Sequence, residues 1–143
     1  IITACVYFIL WLGAWDQLLG NYNGICIMSL GFMMSRCLSG IGVITFPKAR
    51  TDGTVAEFSR NASEIAVRNV LITMFVILAA LMIRVDPILG VLAAVSALLV
   101  FWWYHHMALK YFGGTTGDLS GFFLCICEVV MALVLAFCGA FHL

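Results

Sequence analysis

The sequence predicts an all-α fold, a polytopic membrane helix bundle of about five transmembrane helices forming one domain over residues 1–143. Three observations carry that expectation. The first is composition: 64% of residues are hydrophobic and 10% charged, with mean hydropathy +1.13, against roughly 45–50% apolar and about 25% charged in soluble domains. The second is length, because the chain divides into apolar stretches near the about 20 residues that a helix needs to cross a bilayer core. The third is the scarcity of breakers, with only 2 prolines and no low-complexity tract to mark a linker. A net charge of +0 leaves no electrostatic footprint for nucleic acid, and no such partner is expected.

Five spans are expected, approximately Ile1 to Leu19, Ile25 to Phe46, Ile65 to Ile83, Ile88 to Ala108 and Leu119 to Phe141. Their connections are Gly20 to Gly24, a long polar loop from Pro47 to Glu64, the tight Arg84-Val85-Asp86-Pro87 turn, and a glycine-rich turn after Lys110. No charged segment or small-residue cleavage site precedes the first span, so a signal peptide is not expected. Along the second span Gly31, Ser35, Ser39 and Gly42 would let another helix approach closely.

Orientation follows from the cations. Lys48, Arg50, Arg60 and Arg68 lie on or beside one loop, and Lys110 lies two crossings later on the same side, whereas the opposite side has only Arg84 beside Asp86. The positive-inside rule then turns the Pro47 to Glu64 loop and the Gly113 to Asp118 turn toward the cytoplasm. Trp102, Trp103 and Tyr104 are expected to rest their rings at the headgroups there. His105 and His106 follow, and as helix neighbours they point apart rather than forming a ligand pair.

The chemistry concentrates in Gly113-Gly114-Thr115-Thr116-Gly117-Asp118, a polar turn between two membrane-length segments. Glycines let the backbone approach a ligand, the threonines supply hydroxyls, and Asp118 supplies a carboxylate at the expected start of a helix. A helix N-terminus and the basic residues Lys48, Arg50 and Arg60 suit phosphate, and a carboxylate suits a hard divalent ion such as magnesium. The competing reading is that the basic loop only sets topology or touches anionic lipid.

Two ionisable residues fall inside spans, where an unpartnered charge is expensive. Arg36 sits in the middle of the second apolar stretch, and Glu128 follows Asp118 in the last. At about 100° per residue Asp118 and Glu128 point within roughly 80° of one another. Arg36 and Glu128 either neutralise each other or help to hold a ligand. The six cysteines show none of the spacings of a zinc site or disulfide framework and read as buried thiols.

Ser35-Arg36, then FPKARTDG from Phe46 to Gly53, then GGTTGDLSG from Gly113 to Gly121 with Glu128 beyond, resemble the second half of the cobalamin synthase family, the adenosylcobinamide-GDP ribazoletransferases. The resemblance covers the whole chain, and its three features occur in the family's order. It implies a magnesium-dependent transferase in the bacterial or archaeal cytoplasmic membrane, its active-site loops facing the cytoplasm. The substrates would be adenosylcobinamide-GDP and alpha-ribazole or its 5'-phosphate, with GMP released. On that resemblance Asp118 and Glu128 would be catalytic carboxylates, Asp118 the metal ligand, and Arg36, Lys48 and Arg50 the diphosphate contacts. Gly113, Gly114, Thr115, Thr116 and Gly117 would shape the substrate pocket.

Family members also carry, in their first half, an acidic motif of the type His-x-Asp-Gly-x-x-Asp-x-x-Asp-Gly, which has no counterpart here. The resemblance therefore makes this chain the carboxy-terminal half of a longer family domain, inactive alone, with membrane lipid around it and a separate amino-terminal half as a partner. Cys125 stands where some members have a polar or acidic residue, which leaves the carboxylate set open. A CDP-alcohol phosphotransferase-like membrane enzyme is the nearest enzymatic alternative. A transporter or other non-catalytic membrane subunit is the alternative of a different kind. A transporter should show repeats or helices broken near mid-membrane, whereas the polar chemistry here gathers toward one face.

Overall fold

The computed structural model describes residues 1–46 and 64–141. They form α1 (Ile2–Leu18), α2 (Tyr22–Thr45), α3 (Glu64–Val85), α4 (Pro87–Met107), a π-helical turn (Ala108–Phe112) and α5 (Gly117–Phe141). The last four helical stretches, counting the π-turn with α4, are long and apolar enough to cross a membrane. At 17 residues α1 stands at the short limit of the about 17–25 residues of a span. Among the described residues the fold is thus the expected all-helical membrane bundle of five helices, four of them of spanning length.

Each helix begins and ends for a local reason. Asn21 caps α2 by accepting from the Gly24 amide at 3.3 Å. Asp86 caps α4 by accepting from the amides of Ile88 and Leu89 at 3.1 and 3.2 Å, and Pro87 occupies the first helical position, where no backbone donor is needed. The α3–α4 hairpin is so tight that a Cβ on Gly90 would lie 2.5 Å from the Met82 carbonyl oxygen, so this crossing requires glycine.

Alternate crossing gives the bundle two ends. One end, here the turn end, gathers Phe46, Tyr104 and the Gly113–Asp118 segment; the other gathers Gly20–Asn23, Asp86 and Gly139 around a shallow polar pocket. The most enclosed helix is α2, with 56% of its apolar window buried against 11% for α3. Its Gly31, Ser35, Ser39 and Gly42 all face inward, as the small-residue pattern predicts. Gly31 receives Met131 of α5, and Gly42 receives Phe46, Phe101 and Tyr104. In lipid the tails are as apolar as the side chains, so close packing of this kind is what holds helices together. Although it precedes α2 in sequence, α1 lies mainly against α5 and meets α2 through Trp11 and Trp15 stacked on Phe32.

Candidate functional site

The sequence GGTTGD closes one helix and opens another. The π-turn widens the end of α4, and Gly113 terminates it in the left-handed region at φ 67°, where a Cβ would be strained. The Gly114 amide then returns to the Ala108 carbonyl at 3.1 Å. Thr116 begins α5: its hydroxyl accepts from the Leu119 amide at 3.3 Å, and its carbonyl accepts from the Ser120 amide at 3.0 Å. Asp118 is in the first turn of α5 and exposed, as the sequence predicts.

Thr115 is 1% exposed, and its hydroxyl is hydrogen-bonded to the hydroxyl of Tyr104. Both threonine hydroxyls of the turn are thus used to hold the turn itself. What remains presented outward is the Asp118 carboxylate together with the amides that open α5 at Gly117 and Asp118, which precede any helical partner.

The Tyr104 position corrects the expectation that its ring lies at the headgroups with Trp102 and Trp103. The two tryptophans are exposed, but Tyr104 is 1% exposed and stacks on Phe123 at 4.8 Å between ring centres. Three successive helical residues cannot share a face, and the cue was available. Ala93, Ala97, Val100 and Tyr104 recur at helical spacing as the inward stripe of α4. Phe46 lies against Tyr104 and His105, with the His105 ring centre 4.3 Å away, while His106 stacks on Trp102, so the two histidines do point apart.

Beneath the turn a polar seam runs between α2 and α5. Ser39 and Ser120 share a hydrogen bond of 2.7 Å, a pair that sequence reading did not single out as one. Deeper, the Ser35 hydroxyl approaches Glu128 Oε1 at 3.3 Å, and Arg36 Nη2 stands 3.8 Å from the same oxygen. The Glu128 side chain is 11% exposed and that of Arg36 69%. Tyr7 of α1 stands beside Cys125 and Glu128 at this level.

The structure therefore brings Arg36 to Glu128 and separates Glu128 from Asp118. Ten residues of helix between Asp118 and Glu128 amount to about 15 Å along the axis. Lys48 and Arg50, expected as diphosphate contacts, lie outside the described residues. Cys125 is exposed rather than buried, as is Cys5, while Cys37 and Cys127 are buried as expected. Among the described residues no three His, Cys, Asp or Glu side chains gather into a metal cluster.

A helix bundle of this length and apolarity, with polar residues at its two ends and along one internal seam, defines a multi-pass membrane protein. The family model for cobalamin-5-phosphate synthase matches residues 1–136, and the chain belongs to that family. A relative from Lachnoclostridium phytofermentans, named adenosylcobinamide-GDP ribazoletransferase, is 39% identical over 133 residues, 93% of this chain. The chain spans 50% of that relative's length. No solved structure matches.

Proposed function

We propose that this chain is the part of an adenosylcobinamide-GDP ribazoletransferase that presents an acidic turn to the substrate diphosphate. The reaction joins adenosylcobinamide-GDP to alpha-ribazole or its 5'-phosphate and releases GMP, in a bacterial or archaeal cytoplasmic membrane with the turn on the cytoplasmic side. One observation carries the reading: within a chain of this family, Asp118 is the exposed carboxylate of a turn whose two threonine hydroxyls are already engaged.

The amides opening α5 would bind a phosphate oxygen, helped by the helix dipole. Magnesium fits this donor set as an ion held by one carboxylate and by substrate phosphate oxygens, the usual arrangement for an ion that keeps several waters. Asp118 would hold it. When bound, the ion neutralises charge on the diphosphate. Lys48 and Arg50, which follow Phe46 in sequence, would add positive charge to offset that of the diphosphate. The ribazole hydroxyl attacks the phosphorus bonded to cobinamide, a P–O bond forms as the bond to the GMP oxygen breaks, and the hydroxyl proton leaves to solvent or a base. Gly113, Gly114 and Gly117 keep the turn's backbone open to the phosphate, while Thr115 and Thr116 hold its shape. Arg36 and Glu128, which lie side by side below the turn, would support the site from there.

The remaining half of the family domain would supply the other carboxylates, so the chain by itself would be inactive, with membrane lipid around it. The test is cobalamin formation in membranes containing this chain, alone and with the other half of the family domain supplied, using adenosylcobinamide-GDP, alpha-ribazole and magnesium. Product only with both halves, and none with Asp118→Asn, is the expected result. No product in any combination of correctly inserted chains would overturn the assignment.

A further inference from the structure

The outward face of α2 differs in kind from the outward faces of its neighbours. On α4, Ile88, Val91, Leu92, Val95, Leu98 and Leu99 are exposed, as are Met74, Val76, Ile77 and Leu81 on the inner part of α3. Those are surfaces for lipid tails. On α2 the outward stripe reads Ser29, Met33, Arg36 and half-buried Gly40, spaced so that they line up along one face. The stripe is flanked on one side by Phe32 stacked on α1, and on the other by Gly40 against Leu71 of α3.

Arg36 lies nine residues, about 13 Å, from the end of α2 and therefore near mid-membrane. With 69% of its side chain exposed, it cannot face hydrocarbon without a large penalty. Glu128 does not satisfy it. Their 3.8 Å separation exceeds the about 2.7–2.9 Å of a charge-assisted hydrogen bond, and the same carboxylate oxygen also receives the Ser35 hydroxyl. The guanidinium has donors to spare on a side chain that is largely exposed, and Ser29 on the same stripe is small enough to let another helix approach.

We infer that this stripe of α2 is a docking face for a transmembrane helix carrying an aspartate or glutamate at mid-membrane depth, contributed by the half of the family domain that this chain does not contain. The occupant follows from charge complementarity and from length. An exposed guanidinium inside a bilayer calls for a carboxylate, and the chain spans only 50% of its relative. The inference rests on family membership and on the geometry of α2. It does not depend on the transferase reading.

The test uses a chimera in which this chain replaces the matching half of the Lachnoclostridium relative, with a photo-crosslinking benzoylphenylalanine at Met33. Crosslinks should map to one helix of the relative's other half, within about a helical turn of an Asp or Glu. Arg36→Glu should lower their yield about tenfold, Arg36→Lys should retain most of it, and reversing the mapped carboxylate to Arg should restore it in the Arg36→Glu background. The lysine variant and the charge swap separate loss of docking from loss of folding. Crosslinks to lipid, crosslinks to a second copy of the chimera, or a face from which none form and where an aqueous maleimide reaches a cysteine substituted at Met33, would each overturn the proposal.

Discussion

The turn and the deep pair stand on the same helix, α5, and obey different rules. At the turn Asp118 is exposed and nothing in the described structure holds its carboxylate, because water at the membrane edge can solvate it. About 15 Å further in, Glu128 is enclosed and has two polar neighbours, Ser35 and Arg36, because there is no solvent to stand in for them. Two carboxylates of one helix thus separate into one exposed and one enclosed among polar side chains. Depth makes that separation: the cost of leaving a charge unpaired rises from the interface to the bilayer centre.

The largest test of the contrast is on activity. In the complete enzyme Asp118→Asn should reduce turnover by about 100-fold or more while shifting unfolding stability by no more than about 0.5 kcal/mol. Glu128→Leu should do the reverse in kind. It leaves Arg36 without its nearest anion, while the Ser35 hydroxyl keeps its bond to the Phe32 carbonyl, so reversible unfolding in bicelles should show a loss of about 2 kcal/mol, with Glu128→Gln losing less. Equal stability losses at both carboxylates would remove the distinction.

Smaller effects belong to the turn's own scaffold. Tyr104→Phe removes the partner of the buried Thr115 hydroxyl and should cost about 1 kcal/mol, with faster hydrogen exchange at the amides of Thr115 to Ser120. Gly113→Ala should cost about 1 kcal/mol, because a Cβ is introduced at φ 67° although no neighbouring atom obstructs it. The smallest expected quantity is a coupling: Tyr104→Phe and Glu128→Gln should add to within about 0.5 kcal/mol, as changes in layers with no shared partner do. A larger coupling would show that the seam transmits strain between the layers.

Much of this was legible in the sequence for identifiable reasons. Membrane-length apolar runs ended by Asn21, Asp86-Pro87 and Gly113 set the helices, since a span must satisfy its own backbone and stops where caps and glycine allow it. Asp118 at a helix start followed from the glycines before it. The inward turn of Tyr104 was legible too, but a run of three aromatic residues at a span's end reads as an interfacial belt unless the stripe beneath it is traced. The Ser39–Ser120 bond was beyond reach, because 81 residues separate its partners.

By itself, then, the sequence determined the solvent, the helices, their approximate ends and the family motifs, all of which depend on composition and local spacing. Only the tertiary structure decided which polar groups meet. It closed Thr115 onto Tyr104, brought Arg36 beside Glu128, and seated α1 against α5 instead of its sequence neighbour. Those outcomes depend on the rotation and depth at which separate helices pack, and each helix carries a pattern compatible with more than one arrangement until close packing and the need to pair buried polar groups select one.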